Sequence, residues 1–401
     1  MKVWDNKMTN LPQGWEKFNF DNIFYSPSSK NYQLNTKDYL DKGCIPIIDQ
    51  SKKFIIGYSN NYEKIFKINN CNNSCIIFGD HTRVLKFIDF DFIVGADGVK
   101  ILLNKDIERF NTKFLFFQLL YKDIPLLGYR RHFSVLKQNT FIIPPLKEQE
   151  RIVGILDESF AKIDESIKIL EQDLLNLDEL MQSALQKAFN PLKDNAKENY
   201  KLPQGWEWKS LGEICFITDG THKTPNYIKT GIPFLSVKNI SKGFFDLSDI
   251  KYISLEEHNK LIKRAKPEFG DILICRIGTL GKAIKISLEF EFSIFVSLGL
   301  LKPKVKIISD YLVYFLNSYF IEGWIDNNKV GGGTHTAKLN LNILEKCPIA
   351  LPSLKEQEQI ASHLDELSSH VKNLKQNYQA QIKNLQELKK SLLDKAFQGR
   401  L

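Results

Sequence analysis

From Leu156 onward, apolar or small side chains fall at Leu156, Phe160, Ile163, Ile167, Leu170, Leu174, Leu177, Met181, Ala184 and Ala188, in steps of four and three residues that alternate without a slip. That spacing is the a/d seam of a long helix made to pack against another. Between Pro145 and Pro191 only Gly154 interrupts the helix formers, so a helix is predicted over 144–190. A second seam runs through Leu364, Leu367, Val371, Leu374 and Tyr378, weakens at Gln381/Ile382, and resumes at Leu385, Leu388 and Leu392. It predicts a helix over 352–401. About 44 helical residues span roughly 65 Å at the usual rise.

The two helices are copies. PPLKEQERIVGILDE begins at Pro144 and PSLKEQEQIASHLDE at Pro352, while ALQKAF ends at Phe189 and LLDKAF at Phe397, all at one offset of 208 residues. Another repeated word, LPQGWE, occurs at Leu11 and Leu202, an offset of 191, so the second half carries 17 more residues between the words. Repetition settles the layout before any fold is assigned. A segment at 1–143 precedes the first helix, a polar linker covers 191–202, and a segment at 203–351 precedes the second helix. The chain enters one helix from each segment, so the two should pair antiparallel as an intramolecular coiled coil with pseudo-two-fold symmetry.

Within the segments the period changes. CIPIID (44–49), KFIIGYS (53–59) and the run at 74–103 alternate, are rich in β-branched residues and are punctuated by Gly79-Asp80 and Ala96-Asp97-Gly98, as strands joined by turns are. TKFLFFQLL (112–120) predicts a short buried helix. The second segment repeats the plan at 213–225, 232–241, 270–286 and 295–303, with DYLVYFLNSYF (310–320) in the place of the buried helix. Each segment is predicted to be α+β, more strand than helix.

Composition narrows the function. No apolar run is long enough to span a bilayer and no basic-then-apolar leader opens the chain, so a soluble, cytoplasmic protein without a membrane partner is expected. Cys71-x3-Cys75 near His81 lacks a second ligand pair, and no metal is expected. Net charge is +8. From Leu11 to Ile143 basic side chains exceed acidic ones by five, and in the second segment by four, whereas the first helix is −5 and the second +2. Opposite signs favour the helices' pairing modestly. Two basic segments point to a polyanionic partner.

Motifs for catalysis are missing: no Asn/Asp-Pro-Pro-aromatic tetrapeptide, phosphate-cradling glycine loop, Gly-x-Ser-x-Gly elbow or His-Glu-x-x-His helix. Candidates for double-stranded DNA contact stand in loops. They are His81, Thr82, Arg83, Lys100, Arg130 and Arg131 in the first segment, and His222, Lys223, Arg276, Lys282, Thr334, His335 and Lys338 in the second. Arg and Lys can reach guanine or phosphate, and Thr and His can bond base edges.

LPQGWE opening each half, PPLKEQERI and LPSLKEQEQI, the paired helices, GDHTR (79–83) with VGADGVKIL (94–102), and DGTHKTP (219–225) with GDILICRIGTLGK (270–282) together resemble the specificity subunit of type I restriction–modification systems. The resemblance covers essentially the whole chain. It implies two target-recognition domains, each reading half of a bipartite, asymmetric DNA site, with the helices fixing the spacer. It also implies no catalysis and no cofactor in this chain. Two modification subunits would bring S-adenosylmethionine, and restriction subunits would bring ATP and Mg. The alternatives are a fused methyltransferase/specificity enzyme and a protein-binding scaffold.

Overall fold

The computed structural model describes residues 11–71, 73–95, 97–122, 124–125, 131–189, 202–332 and 337–401. The chain divides into two compact units, one of Met1–Leu170 with Gln379–Leu401 and one of Glu171–Tyr378.

The first unit opens with β1 (Glu16–Asn19), α1 (Phe20–Ile23), β2 (Phe24–Tyr25), β3 (Ile45–Ile48) and β4 (Gly57–Ser59). It continues with β5 (Cys75–Gly79), β6 (Leu85–Ile88), β7 (Ile93–Val94), β8 (Val99–Asn104), α2 (Thr112–Tyr121), α3 (Phe133–Leu136), β9 (Thr140–Ile143) and the start of α4 (Leu146–Ala188). The second holds β10 (Glu207–Ser210), α5 (Leu211–Ile214), β11 (Cys215–Asp219), β12 (Ile232–Leu235), β13 (Lys251–Ile253), α6 (Leu255–Leu261) and β14 (Ile272–Cys275). After these come β15 (Ala283–Lys285), β16 (Ser293–Ile294), β17 (Leu298–Pro303), α7 (Ser309–Leu316), α8 (Tyr319–Asn328), α9 (Leu341–Leu344), β18 (Pro348–Leu351) and the start of α10 (Leu354–Phe397).

Strand orders repeat from unit to unit. Four-stranded sheets run β2-β8-β5-β6 and β11-β17-β14-β15, three-stranded sheets β4-β3-β7 and β13-β12-β16, and ribbons β1-β9 and β10-β18. Each three-stranded sheet contains one parallel pair, β3 with β7 and β12 with β16. Two repeated α+β domains are therefore present. Among the described residues the second unit's α6 and α8 lack counterparts, in keeping with its longer span between the repeated words. The sequence 310–320, expected as one helix, is two: α7 ends at Leu316 and α8 begins after Ser318.

The repeated words have physical explanations. Gln149 and Gln357 of the two KEQE words are buried, and each donates to the proline carbonyl five residues back, Pro144 at 2.8 Å and Pro352 at 2.9 Å. Their Oε1 atoms accept the N–H of Asn111 at 2.8 Å and of Ile308 at 3.0 Å, just before α2 and α7. The terminal phenylalanines plug onto those helices. Phe397 lies edge-on to Phe114 at 5.5 Å between centroids, and Phe189 edge-on to Phe315 at 5.1 Å.

Inside each unit the long helices pair antiparallel. In the first, Leu156 shares a core with Leu393 and Phe397, and Asp164 is paired with Lys389. In the second, Leu185 shares a core with Leu364, and Asp178 is paired with Lys375. On α4, Leu156, Ile163 and Leu177 are buried and Phe160, Ile167, Leu170 and Leu174 half-buried. On α10, Leu364 and Val371 are buried and Leu367, Tyr378, Leu385 and Leu392 half-buried. Two seam positions need correction: Leu374 and Leu388 are exposed, at 40% and 46%. Lys375 and Lys389, one residue on, turn inward instead. A 3.6-residue helix drifts off a strict seven-residue repeat, which carries the contact line one residue along.

Candidate nucleic-acid interface

In the first unit, loops gather around Asp80, which is buried at the end of β5. Its backbone N–H donates to Gly98 O at 2.7 Å, its carbonyl accepts the N–H of His132 at 2.8 Å, and its Oδ1 accepts the N–H of Phe133 at 2.8 Å. Lys100 Nζ stands 4.0 Å from Oδ2 and 5.4 Å from the Phe133 ring centroid. The stretches around 80–83, 97–100 and 131–133 are thus fastened by one aspartate, its backbone bonding Gly98 and His132 and its carboxylate facing Phe133 N–H and Lys100. Gln50 fixes the turn itself: its Oε1 accepts the N–H of His81 at 3.1 Å and its Nε2 donates to Asp97 O at 2.8 Å. Gly98, at φ +88°, leaves room for Gln50, whose Nε2 would lie 2.6 Å from an added Cβ.

These bonds place the candidate side chains. His81, Thr82 and Arg131 are exposed, and Lys100 is half-buried. Thr82 spends its hydroxyl proton on Gln50 O. Arg83 sits at φ 63°, and its Nη1 donates to Ile124 O. A non-glycine residue in that backbone region is uncommon and is held by its surroundings. Arg130 lies outside the described residues.

The second unit has its own node, Asp219, 1% exposed at the end of β11. Arg276 Nη1 donates to its Oδ2, Arg264 Nη2 to its Oδ1, and His222 Nε2 lies 3.1 Å from Oδ2. Arg276 was expected in an exposed glycine-rich loop. It is buried, with Nε donating to Leu339 O at 3.1 Å and Nη1 to Val296 O at 3.1 Å. All these acceptors are internal because a buried guanidinium must satisfy its donors within the protein. Its place is therefore as a brace between loops. Gly220 follows because nothing larger fits: an added Cβ would lie 2.0 Å from Ile294 O.

Around this node, His222 and Lys223 are exposed and line a cleft of about 450 Å³ with Thr221, Lys260, Leu261 and Arg264. Lys338 is exposed, and its backbone pairs with Val330. Lys282 is half-buried and lines another cleft, of about 600 Å³, with Asn317 and Lys329. Thr334 and His335 lie outside the described residues. GDHTR and DGTHKTP contain the two aspartates, but spacing alone marks neither as a buried anchor, nor Lys260 and Arg264 as neighbours of Asp219. An aspartate beside a glycine at the end of a strand, Gly79-Asp80 and Asp219-Gly220, is the available signal.

Among the described residues no group of His, Cys, Asp and Glu is placed to hold a metal, and no helix is long and apolar enough to cross a membrane. Two copies of one α+β domain, each gathering basic loops around a buried aspartate, define a duplicated recognition protein carried on long helices. A family model described as "Type I restriction modification DNA specificity domain" matches residues 12–174 and 203–384, and the chain belongs to that family of specificity subunits. It is 26% identical over 354 residues to the type I restriction enzyme EcoBI specificity subunit of Escherichia coli, covering 78% of this chain and 73% of that one. Two solved structures share the fold. One is a chain of a type I R-M system whose structure addresses complex assembly and conformational transition (TM-score 0.72, 21% identity, 98% and 100% covered). The other is the HsdS subunit from Thermoanaerobacter tengcongensis (TM-score 0.51, 22% identity, 98% of each covered).

Proposed function

We propose that this chain is the noncatalytic reader of a bipartite, asymmetric double-stranded DNA site, one half-site per domain. The observation that carries the reading is the repeated loop cluster, in which a buried carboxylate, Asp80 or Asp219, holds basic loops together at the end of a strand. Two domains with the same strand order but different loop side chains would read different bases. The contacts we assign are His81, Thr82, Arg83, Lys100 and Arg131 in the first domain and His222, Lys223, Lys282 and Lys338 in the second. Arg130, Thr334 and His335 keep the assignment made from the sequence.

The domains are taken as 1–143 and 203–351, the helices as 144–190 and 352–401, and the linker as 191–202. Helices of 43 and 44 residues would fix the number of unread base pairs, since one duplex turn is about 34–36 Å. Two modification subunits would bind S-adenosylmethionine and methylate adenine, and restriction subunits would use ATP with Mg. The complex would act in the cytoplasm.

Methylome sequencing of cells expressing the chain with its modification subunit tests this. A split motif with two unlike halves is expected. A continuous motif, or methylation by the isolated chain, would replace this reading with the fused-enzyme alternative. Duplex binding that ignores salt would favour the scaffold.

A further inference from the structure

The cleft beside Asp219 has a composition of which the reading above uses only His222 and Lys223. Its lining is Thr221, His222, Lys223, Lys260, Leu261 and Arg264. Three cations, a histidine and a hydroxyl therefore face one space over an apolar floor, and the lining includes no carboxylate. Two of the nearby acids hold cations of the cleft itself, and the third is turned to a backbone amide. Asp219 is buried under two guanidinium groups, Glu256 pairs with Lys260 at 2.7 Å, and Glu257 Oε2 accepts the N–H of Asn226 at 3.3 Å.

Arg264 is the fixed part. Its Nε donates to Asp219 O at 3.2 Å and its Nη2 to Oδ1 of the same residue, so two bonds set the guanidinium plane. Nη1 has no acceptor among the described residues, and the side chain remains 56% exposed. A guanidinium held this way is oriented before a ligand arrives, which spares it part of the ordering cost. Lys223 and Lys260 add mobile charges at the rim. Arg264 and Lys260 come from α6 and the turn after it, an element without counterpart among the described residues of the first domain.

We infer that this cleft seats a phosphodiester of the DNA backbone at the half-site of the second domain, with Arg264, Lys223 and Lys260 as its cations and Asp219 as a positioning residue. The inference rests on the DNA reading proposed above. Such a seat sets register and affinity and carries no base information.

The test uses the chain in complex with its modification subunit. Binding to the duplex bearing its methylation motif and to a scrambled duplex is followed between about 50 and 200 mM salt. Lys223→Ala and Lys260→Ala should each weaken both duplexes by the same factor and reduce the salt slope by about 1. Arg264→Lys should weaken both without altering the methylated motif. Glu256→Gln, which frees Lys260, should tighten both, a change that loss of structure would not produce. An unchanged slope in both lysine variants overturns the seat. So does a changed motif, or weakened assembly with the modification subunit at constant DNA affinity. Failure of the unaltered complex to bind duplex overturns the DNA reading itself and is separable from these outcomes.

Discussion

Gln149 accepts the backbone N–H of Asn111 through Oε1 at 2.8 Å and donates through Nε2 to Pro144 O, so one buried amide joins the start of α4 to the start of α2. It also donates to Arg109 O at 2.9 Å. Gln357 repeats the joint before α7. The repeated word therefore records a hydrogen-bonding need that seam spacing alone does not express.

Removing that amide strands buried partners. Gln149→Ala and Gln357→Ala should each destabilise the chain by about 1–3 kcal/mol, the cost of leaving a buried group unsatisfied. Urea unfolding measures this. Loss of less than about 0.5 kcal/mol, the range of an ordinary surface change, would show that water replaces the amide.

The helix seam makes a second contrast. Phe160 lies edge-on to Phe117 at 5.4 Å and under Lys389 Nζ at 4.6 Å. Phe160→Ala removes the ring from this half-buried seam and should cost about 3 kcal/mol, the low end for truncating a packed ring. Breaking the Lys389–Asp164 pair should cost only about 0–1 kcal/mol, because Asp164 is 62% exposed and water screens it. A double-mutant cycle on Asp164→Ala and Lys389→Ala reads the coupling, and a value near that of a buried pair would contradict the assignment.

Much of this architecture was legible because periodicity and repetition are carried by many residues at once. The long helices and the α+β character follow from apolar spacing and from turn residues such as Gly79-Asp80. Sequence failed where one residue decides. Leu374 and Lys375 are both plausible on a seam, and helix drift selects the lysine because its ammonium can still reach Asp178. Arg276 looked like a loop cation, since nothing in its neighbours names Asp219, 57 residues away, as its partner. The cleft at Lys260 and Arg264 was hidden for the same reason: these two cations come from α6 and the turn after it, and the anchor of Arg264 from β11.

Thiol chemistry gives a third expectation. Burial pushes the thiols of Cys215, Cys275 and Cys347 up to about 12, so they stay protonated across the neutral range. Cys75 is fully buried, and Cys44 alone is exposed among these five cysteines. Thiolate is the reactive form. Brief alkylation of the native protein near pH 8, mapped by peptide mass, should modify Cys44 and spare these four until denaturant is added. Early labelling of Cys275 would mean that β14 opens under native conditions.

Asp219 is the residue on which the second loop cluster turns, and its substitution separates a brace from a contact. Asp219→Asn removes the charge opposing Arg276, whose side chain is 8% exposed. A buried cation left without its partner costs about 3–5 kcal/mol. Arg264, being half in solvent, can turn outward and contributes little to that loss. The unfolding midpoint should therefore fall sharply, and the half-site of the second domain should lose definition while that of the first is retained. Replacing both partners, Asp219→Leu with Arg276→Met, removes the unpaired charge and should recover much of the stability. It should not recover recognition, because Arg264 and His222 would still lack their common anchor. Asp80→Asn should be milder, since Lys100 stands 4.0 Å away with its side chain 34% exposed. Equal losses from Asp80→Asn and Asp219→Asn would show that the two nodes depend on backbone geometry rather than on a buried ion pair in the second domain.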